Sequence, residues 1–181
     1  MIKRGMGWLP DYPDFRDYTE ETEEIKTILK SSKSAKSGQA AKKSKKGSAI
    51  TASKLPASVD LREWCSPIED QGDLGSCTAN AGVGIIEYYE RKAFGRHTDA
   101  SRLFLYKVTR NLMKAKGDTG AYLRTTIGAM VLFGVCPEDY WPYTDSETAF
   151  DKEPNAFTYA FAANFQTIKY FRHDPPNTEP G

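Results

Sequence analysis

The sequence predicts an α+β fold in which helices come first and β structure follows. Three stretches between Cys77 and Phe133 repeat apolar residues at helical spacing, and beyond Pro137 the pattern changes to aromatic and β-branched residues over Phe157–Phe171. A third observation bounds the folded part. Residues 30–54 hold eight lysines, seven serines and no acid, with Ile50 as the one side chain suited to a core. Such a segment cannot bury enough apolar surface to offset its ordering entropy. The expected organisation is a short N-terminal arm (1–29), a Lys/Ser-rich disordered linker (30–54) and a main domain (55–181).

Each element has a local reason. The arm, Gly7 to Tyr18, is rich in aromatics and prolines, too irregular for a helix or strand and too small to own a core. Its Trp8, Tyr12, Phe15 and Tyr18 are therefore expected to pack on the main domain. Residues 19–30 predict a short helix with Glu20 and Glu21 in its first turn. The domain opens in extended form at Val59-Asp60-Leu61-Arg62. A helix follows from Cys77 to Ala93 with Ala79, Val83 and Ile86 on one face. Gly82 and Gly84 lower its propensity, so packing must hold it. A second helix starts at Ser101, a good N-cap, and carries Leu105, Val108 and Leu112. A third spans Gly120–Phe133, with Leu123, Ile127, Met130 and Val131 inward and Gly134 as its stop. Phe157–Phe171 is expected as a strand, and 175–181 as a loop.

The formal charge of +1 hides an asymmetry. Without the eight linker lysines, 17 basic residues face 24 acidic ones, a net of −7. The linker has no aromatics to stack on bases, so it reads as a solvated tether and not as a nucleic-acid surface. No apolar run approaches a membrane span. Lys3 and Arg4 precede no apolar run, so no signal peptide is visible and a cytoplasmic location is expected. Three cysteines, Cys65, Cys77 and Cys136, are too few for a disulfide scaffold, although a Cys65–Cys136 bridge is compatible with the sequence. There is no Cys-x-x-Cys, neither His97 nor His173 has a ligand-like neighbour in sequence, and no glycine-rich phosphate loop occurs. No metal and no cofactor are expected.

The chemistry gathers around Cys77, in Gln71-Gly72-Asp73-Leu74-Gly75-Ser76-Cys77-Thr78-Ala79-Asn80. Gly72 and Gly75 permit a tight loop that lets backbone approach a ligand closely. Cys77 opens a helix, where the macrodipole and unpaired N–H groups favour a thiolate, the nucleophilic form. Gln71, on the far side of the loop, offers an amide donor toward the same point as the Cys77 backbone N–H. Two such donors make an oxyanion hole, each worth about 10²–10³ in rate. The alternative for Cys77 is a buried structural thiol in a glycine-rich turn.

In this segment the chain resembles the papain-like cysteine peptidases. The matching residues are Pro56-Ala57-Ser58-Val59-Asp60-Leu61-Arg62, Gln71-Gly72 and Gly75-Ser76-Cys77, against that family's P-x-x-x-D-x-R, Q-G and C-G-S-C-W. Asp118-Thr119-Gly120-Ala121 stands where the family has C-N-G-G, and Gly134-Val135 and Trp141-Pro142-Tyr143 resemble its Y-G-[IV] and Y-P-Y stretches. The resemblance covers roughly residues 55–172 and implies a helical left lobe with a crossing strand. It implies Cys77 as the nucleophile, Gln71 as the oxyanion-hole residue, Gly120 and Ala121 as backbone binders of extended substrate, and Tyr122 and Leu123 as flanks of a specificity pocket. The implied partner is a peptide or protein substrate.

The departures are as informative. Leu74 and Asp118 replace both halves of a family disulfide, so that bridge is absent. Thr78 replaces the aromatic residue after the nucleophile, as in prokaryotic or divergent members. The family's His and Asn lie about 130–150 residues after the cysteine, past Gly181. The expectation is a truncated papain-like domain whose right β-lobe, supplying His and Asn, is missing, and which is inactive on its own. The alternative is a non-catalytic peptide- or protein-binding lobe.

Overall fold

The computed structural model describes residues 6–37 and 58–172. Within these, residues 6–12 and 61–170 form one compact unit, and 13–37, 58–60 and 171–172 belong to a second. The elements in chain order are β1 (Trp8–Leu9), α1 (Glu23–Ser37), α2 (Cys77–Phe94), α3 (Arg102–Leu112), β2 (Ala121–Tyr122), α4 (Leu123–Leu132) and α5 (Ala156–Ala162), with short 3₁₀ turns at Arg62–Trp64, Glu138–Tyr140 and Ala163–Phe165. β1 and β2 pair in parallel, Trp8 with Ala121 and Leu9 with Tyr122.

The first unit is built around α3, whose residues from Arg102 to Arg110 are all buried. Ser101 caps it as expected, accepting the Phe104 N–H at 3.0 Å while donating to the Trp141 carbonyl at 2.6 Å. Ala79 and Val83 of α2, Phe104, Leu105 and Val108 of α3, and Ala129 and Met130 of α4 form the core. Gly82 makes this packing possible, because a Cβ there would stand 3.1 Å from both the Leu105 and Met130 side chains. α2 ends at Gly95, in the left-handed region (φ +73°), whose N–H bonds the Arg91 carbonyl at 2.8 Å.

Burying Lys107 and Arg110 on this central helix requires a counter-charge. Asp151 supplies it, accepting from Lys107 Nζ and Arg110 Nη1, each at 2.8 Å, and from the Gly117 N–H at 3.0 Å. Arg110 also donates to the Gly117 carbonyl at 2.5 Å. One carboxylate thereby fixes the loop that leads into β2.

Several expectations are corrected. The Gly7–Tyr18 arm does hold a strand, β1, and the extended entry ends before Arg62, where a 3₁₀ turn begins. Phe157–Phe171 is not a strand: Asn155 accepts the Thr158 N–H at 2.9 Å and starts α5. Phe157, Phe161 and Phe165 then follow one another at four-residue spacing, with successive centroids 5.8 Å apart, a helical repeat that the aromatic content disguised. The third helix begins at Leu123, since Gly120 sits at φ +71° and Ala121–Tyr122 is strand; Leu123 is exposed. The arm helix continues to Ser37 instead of yielding to linker at residue 30. The rest of that linker, and His173 with the final loop, lie outside the described residues. In the second unit, Thr19 pairs with Arg172, whose N–H bonds the Tyr18 carbonyl at 2.7 Å.

Asp151 has a testable stability signature. Burial opposes its charge, but the Lys107 and Gly117 hydrogen bonds and the Arg110 charge outweigh this and bring its pKa from 3.8 down to about 2. A carboxylate with a depressed folded pKa contributes stability above its unfolded pKa and loses it as pH falls through the folded one. The contribution, about 2 kcal/mol at neutral pH, is therefore expected to disappear between about pH 4 and pH 2. Denaturant titrations across this range should show that slope in the wild-type chain and a weaker one in Asp151→Asn.

Candidate active site

Cys77 is the first residue of α2, and that position shapes its surroundings. The first N–H groups of a helix have no partner within it, and an N-cap side chain normally takes one. Ser76 is the N-cap but makes no such bond. Its hydroxyl lies 2.7 Å from the Tyr143 hydroxyl and accepts Asn80 Nδ2 at 3.1 Å. Tyr143 gives its own proton to the Gln71 carbonyl at 2.8 Å, so Ser76 is the donor to Tyr143. The Ser76 side chain is thus diverted, and the positive edge of the helix is left uncapped beside the half-buried Cys77.

The loop ahead of Cys77 is held on two sides. On one, Arg102 stacks over the Tyr143 ring at 4.1 Å and pairs with Glu69 at 2.9 Å. Burial pushes the Tyr143 hydroxyl pKa above its usual value, and it stays protonated. Gln71 closes the loop by donating Nε2 to the Leu74 carbonyl at 2.7 Å. On the other side, the Gly75 N–H donates to the Asp118 carboxylate at 2.9 and 3.1 Å. Leu74 is buried against Leu103 and Phe150.

Beyond Asp118 runs β2, and its edge is occupied. The Ala121 N–H donates to the Gly7 carbonyl at 2.7 Å. Asp11 accepts the Arg124 N–H at 3.0 Å, supplying the cap that Tyr122 does not give α4, and Arg124 reaches back to the Tyr12 carbonyl at 2.5 Å. Gly7 fits only as glycine, because a Cβ there would lie 1.7 Å from the Gly75 carbonyl oxygen; one on Gly120 would lie 2.3 Å from that of Gly7. Residues 6–12 are held by main-chain bonds and the Asp11 carboxylate and not by aromatics: Trp8, Tyr12 and Phe15 are largely exposed, contrary to expectation.

No family model matches the chain. Among curated proteins it is 39% identical, over 107 residues, to an uncharacterized peptidase C1-like protein of Acanthamoeba polyphaga mimivirus. This match takes in 58% of the chain and 34% of the relative. It is 32% identical over 96 residues to cathepsin K of Gallus gallus, covering 51% of the chain and 28% of the relative. Among solved structures, xylellain, a cysteine protease from Xylella fastidiosa, superposes with a TM-score of 0.67 at 30% identity, over 96% of this chain and 60% of that one. The chain carries the left lobe of the papain-like cysteine peptidase fold. It spans about a third of the curated relatives it matches.

On this papain-like lobe, Gln71 and Cys77 lie at the two ends of one braced loop. Gly120 and Ala121 are buried at the strand edge, and Tyr122 and Leu123 are partly exposed beside it at 39% and 37%. The sequence did not point to Ser76, Arg102 or Tyr143 as the brace, because their contacts join segments far apart in the chain. All three cysteines are free; Cys65 is exposed, and burial pushes the Cys136 thiol up to about 12. One sequence-based statement is corrected: His97 does have carboxylate neighbours, since its ligand atom and those of Glu87 and Asp99 lie within 4.8 Å of one another. Glu87 already accepts the Ala100 N–H, and His97 bonds Asp99, each at 3.0 Å.

The arm's attachment can be tested directly. Gly7→Ala should displace residues 6–12 from β2 and raise their rate of proteolytic cleavage at least tenfold. Asp11→Ala, which removes a cap worth about 1 kcal/mol, should have a smaller effect in the same direction. Unchanged resistance in Gly7→Ala would contradict the packing described.

Proposed function

We propose that the chain is the nucleophile-bearing lobe of a cysteine peptidase that hydrolyses peptide bonds through Cys77. The observation that carries this is the juxtaposition of Cys77, at an uncapped helix N-terminus, with a strand edge that already holds an extended peptide segment by its main chain. The Cys77 thiolate attacks the scissile carbonyl, and the negative charge that develops on oxygen is met by the Cys77 N–H and the Gln71 amide. Collapse expels the amine, which takes a proton from a general acid, and water then cleaves the thioester. Gly120 and Ala121 align the substrate backbone, and Tyr122 and Leu123 contact its side chains.

In this reading His97 is not the acid–base partner. α2 has 18 residues, about 27 Å at 1.5 Å per residue. Cys77 opens it and His97 lies past its other end, bonded to Asp99. A second lobe would supply the imidazole. The arm acts as a pro-segment, since Gly7 to Leu9 takes the edge an extended substrate needs.

Turnover of a fluorogenic peptide tests this, measured with the chain alone and with the part of xylellain outside the match added as a separate fragment. The expected result is no turnover alone and turnover with the added lobe, abolished by Cys77→Ala and raised by Gly7→Ala. Turnover surviving Cys77→Ala would overturn the assignment. Saturable peptide binding with no turnover under either condition would favour a non-catalytic binding lobe.

A further inference from the structure

The carboxylate of Asp118 joins three segments that meet behind Cys77. It accepts the Gly75 N–H, two residues before the nucleophile, at 2.9 and 3.1 Å. It also accepts the Tyr106 hydroxyl of α3 at 2.5 Å, and that hydroxyl in turn accepts the Gly120 N–H at 3.0 Å. The Tyr106 ring is fully buried and its guanidinium neighbour, Arg110, stacks on it at 4.2 Å, so the hydroxyl is delivered from within the core. Burial, reinforced by Asp118, raises the hydroxyl's pKa and keeps it a donor. The chain of bonds therefore runs from the Gly120 N–H through Tyr106 and Asp118 to the Gly75 N–H. It ties the strand edge to the nucleophile loop without a covalent link.

We propose that Asp118 is a positioning residue that acts through Gly75, fixing the Cys77 loop against the Gly120–Ala121 edge with Tyr106 as its relay. This rests on the peptidase reading for its effect on rate, but not for its effect on structure. A carboxylate suits the task because it receives two donors at once, and hydrogen bonds to a charged acceptor are the stronger kind. The device is also indifferent to redox state, which a disulfide at the same two loops would not be.

Hydrogen exchange on the full 181-residue chain separates the two levels. In Asp118→Ala the Gly75 and Gly120 amides should exchange at least tenfold faster, with the amides of α5 unchanged. Asp118→Asn, which keeps an acceptor oxygen, should restore most of the protection at Gly75. Tyr106→Phe should expose the Gly120 amide while leaving Gly75 partly protected. In the chain complemented with the second lobe, Asp118→Ala should lower kcat about tenfold with KM changed less than twofold. Unchanged exchange at Gly75, or a loss spread evenly over all helices, would overturn the proposal. Altered exchange at Gly75 and Gly120 with no turnover in any variant would sink the peptidase reading while leaving the positioning of the loop intact.

Discussion

The Gly7 carbonyl accepts the Ala121 N–H at 2.7 Å in a place where no side chain fits. Gly7 lies between Gly75, on the loop before Cys77, and Gly120, at the entry to β2. Three backbones approach here closely enough that a Cβ on Gly7 or Gly120 would overlap a neighbouring carbonyl oxygen, and one on Gly75 would come within 3.0 Å of Gly7 Cα. Glycine's freedom at φ +71° lets position 120 turn into the strand, and its lack of a side chain lets the other two approach. The distance between the Cys77 loop and the strand edge follows from this contact.

The polar groups around it exist to hold that geometry. On one side Asp118 and Tyr106 take the Gly75 and Gly120 amides; on the other Tyr143 takes the Ser76 hydroxyl and gives its proton to the Gln71 carbonyl. Both tyrosines are kept neutral by burial, so each is a fixed donor. Beneath them Asp151 offsets the buried cations of α3 and pins Gly117. The uncapped start of α2 is a consequence: Ser76 is committed to Tyr143, which leaves the helix edge facing Cys77.

Local signals were legible in the sequence and long-range ones were not. Ser101 as a cap, Gly134 as a stop and Cys77 as a helix start follow from chemistry within a few residues. The Ala79 and Val83 face followed from periodicity. α5 was missed because Phe157, Phe161 and Phe165 count toward a strand by composition while their spacing is helical. β1 was missed because two residues carry no period; its partner lies more than a hundred residues on. At the site, the residue types and order around Gln71 and Cys77 were visible. The brace of Tyr106, Asp118 and Tyr143 was not, since no local rule links positions so far apart.

Mass-spectrometric mapping with a peptidyl epoxide asks whether Cys77 is the reacting thiol beside the β2 edge. One adduct is expected, on Cys77 and not on the more exposed Cys65. Adduct formation should also speed up when the arm is displaced from β2, because the reagent needs the edge that Gly7 to Leu9 holds. Labelling at Cys65 in preference to Cys77, or a Cys77 rate indifferent to the arm, would contradict the Cys77 assignment.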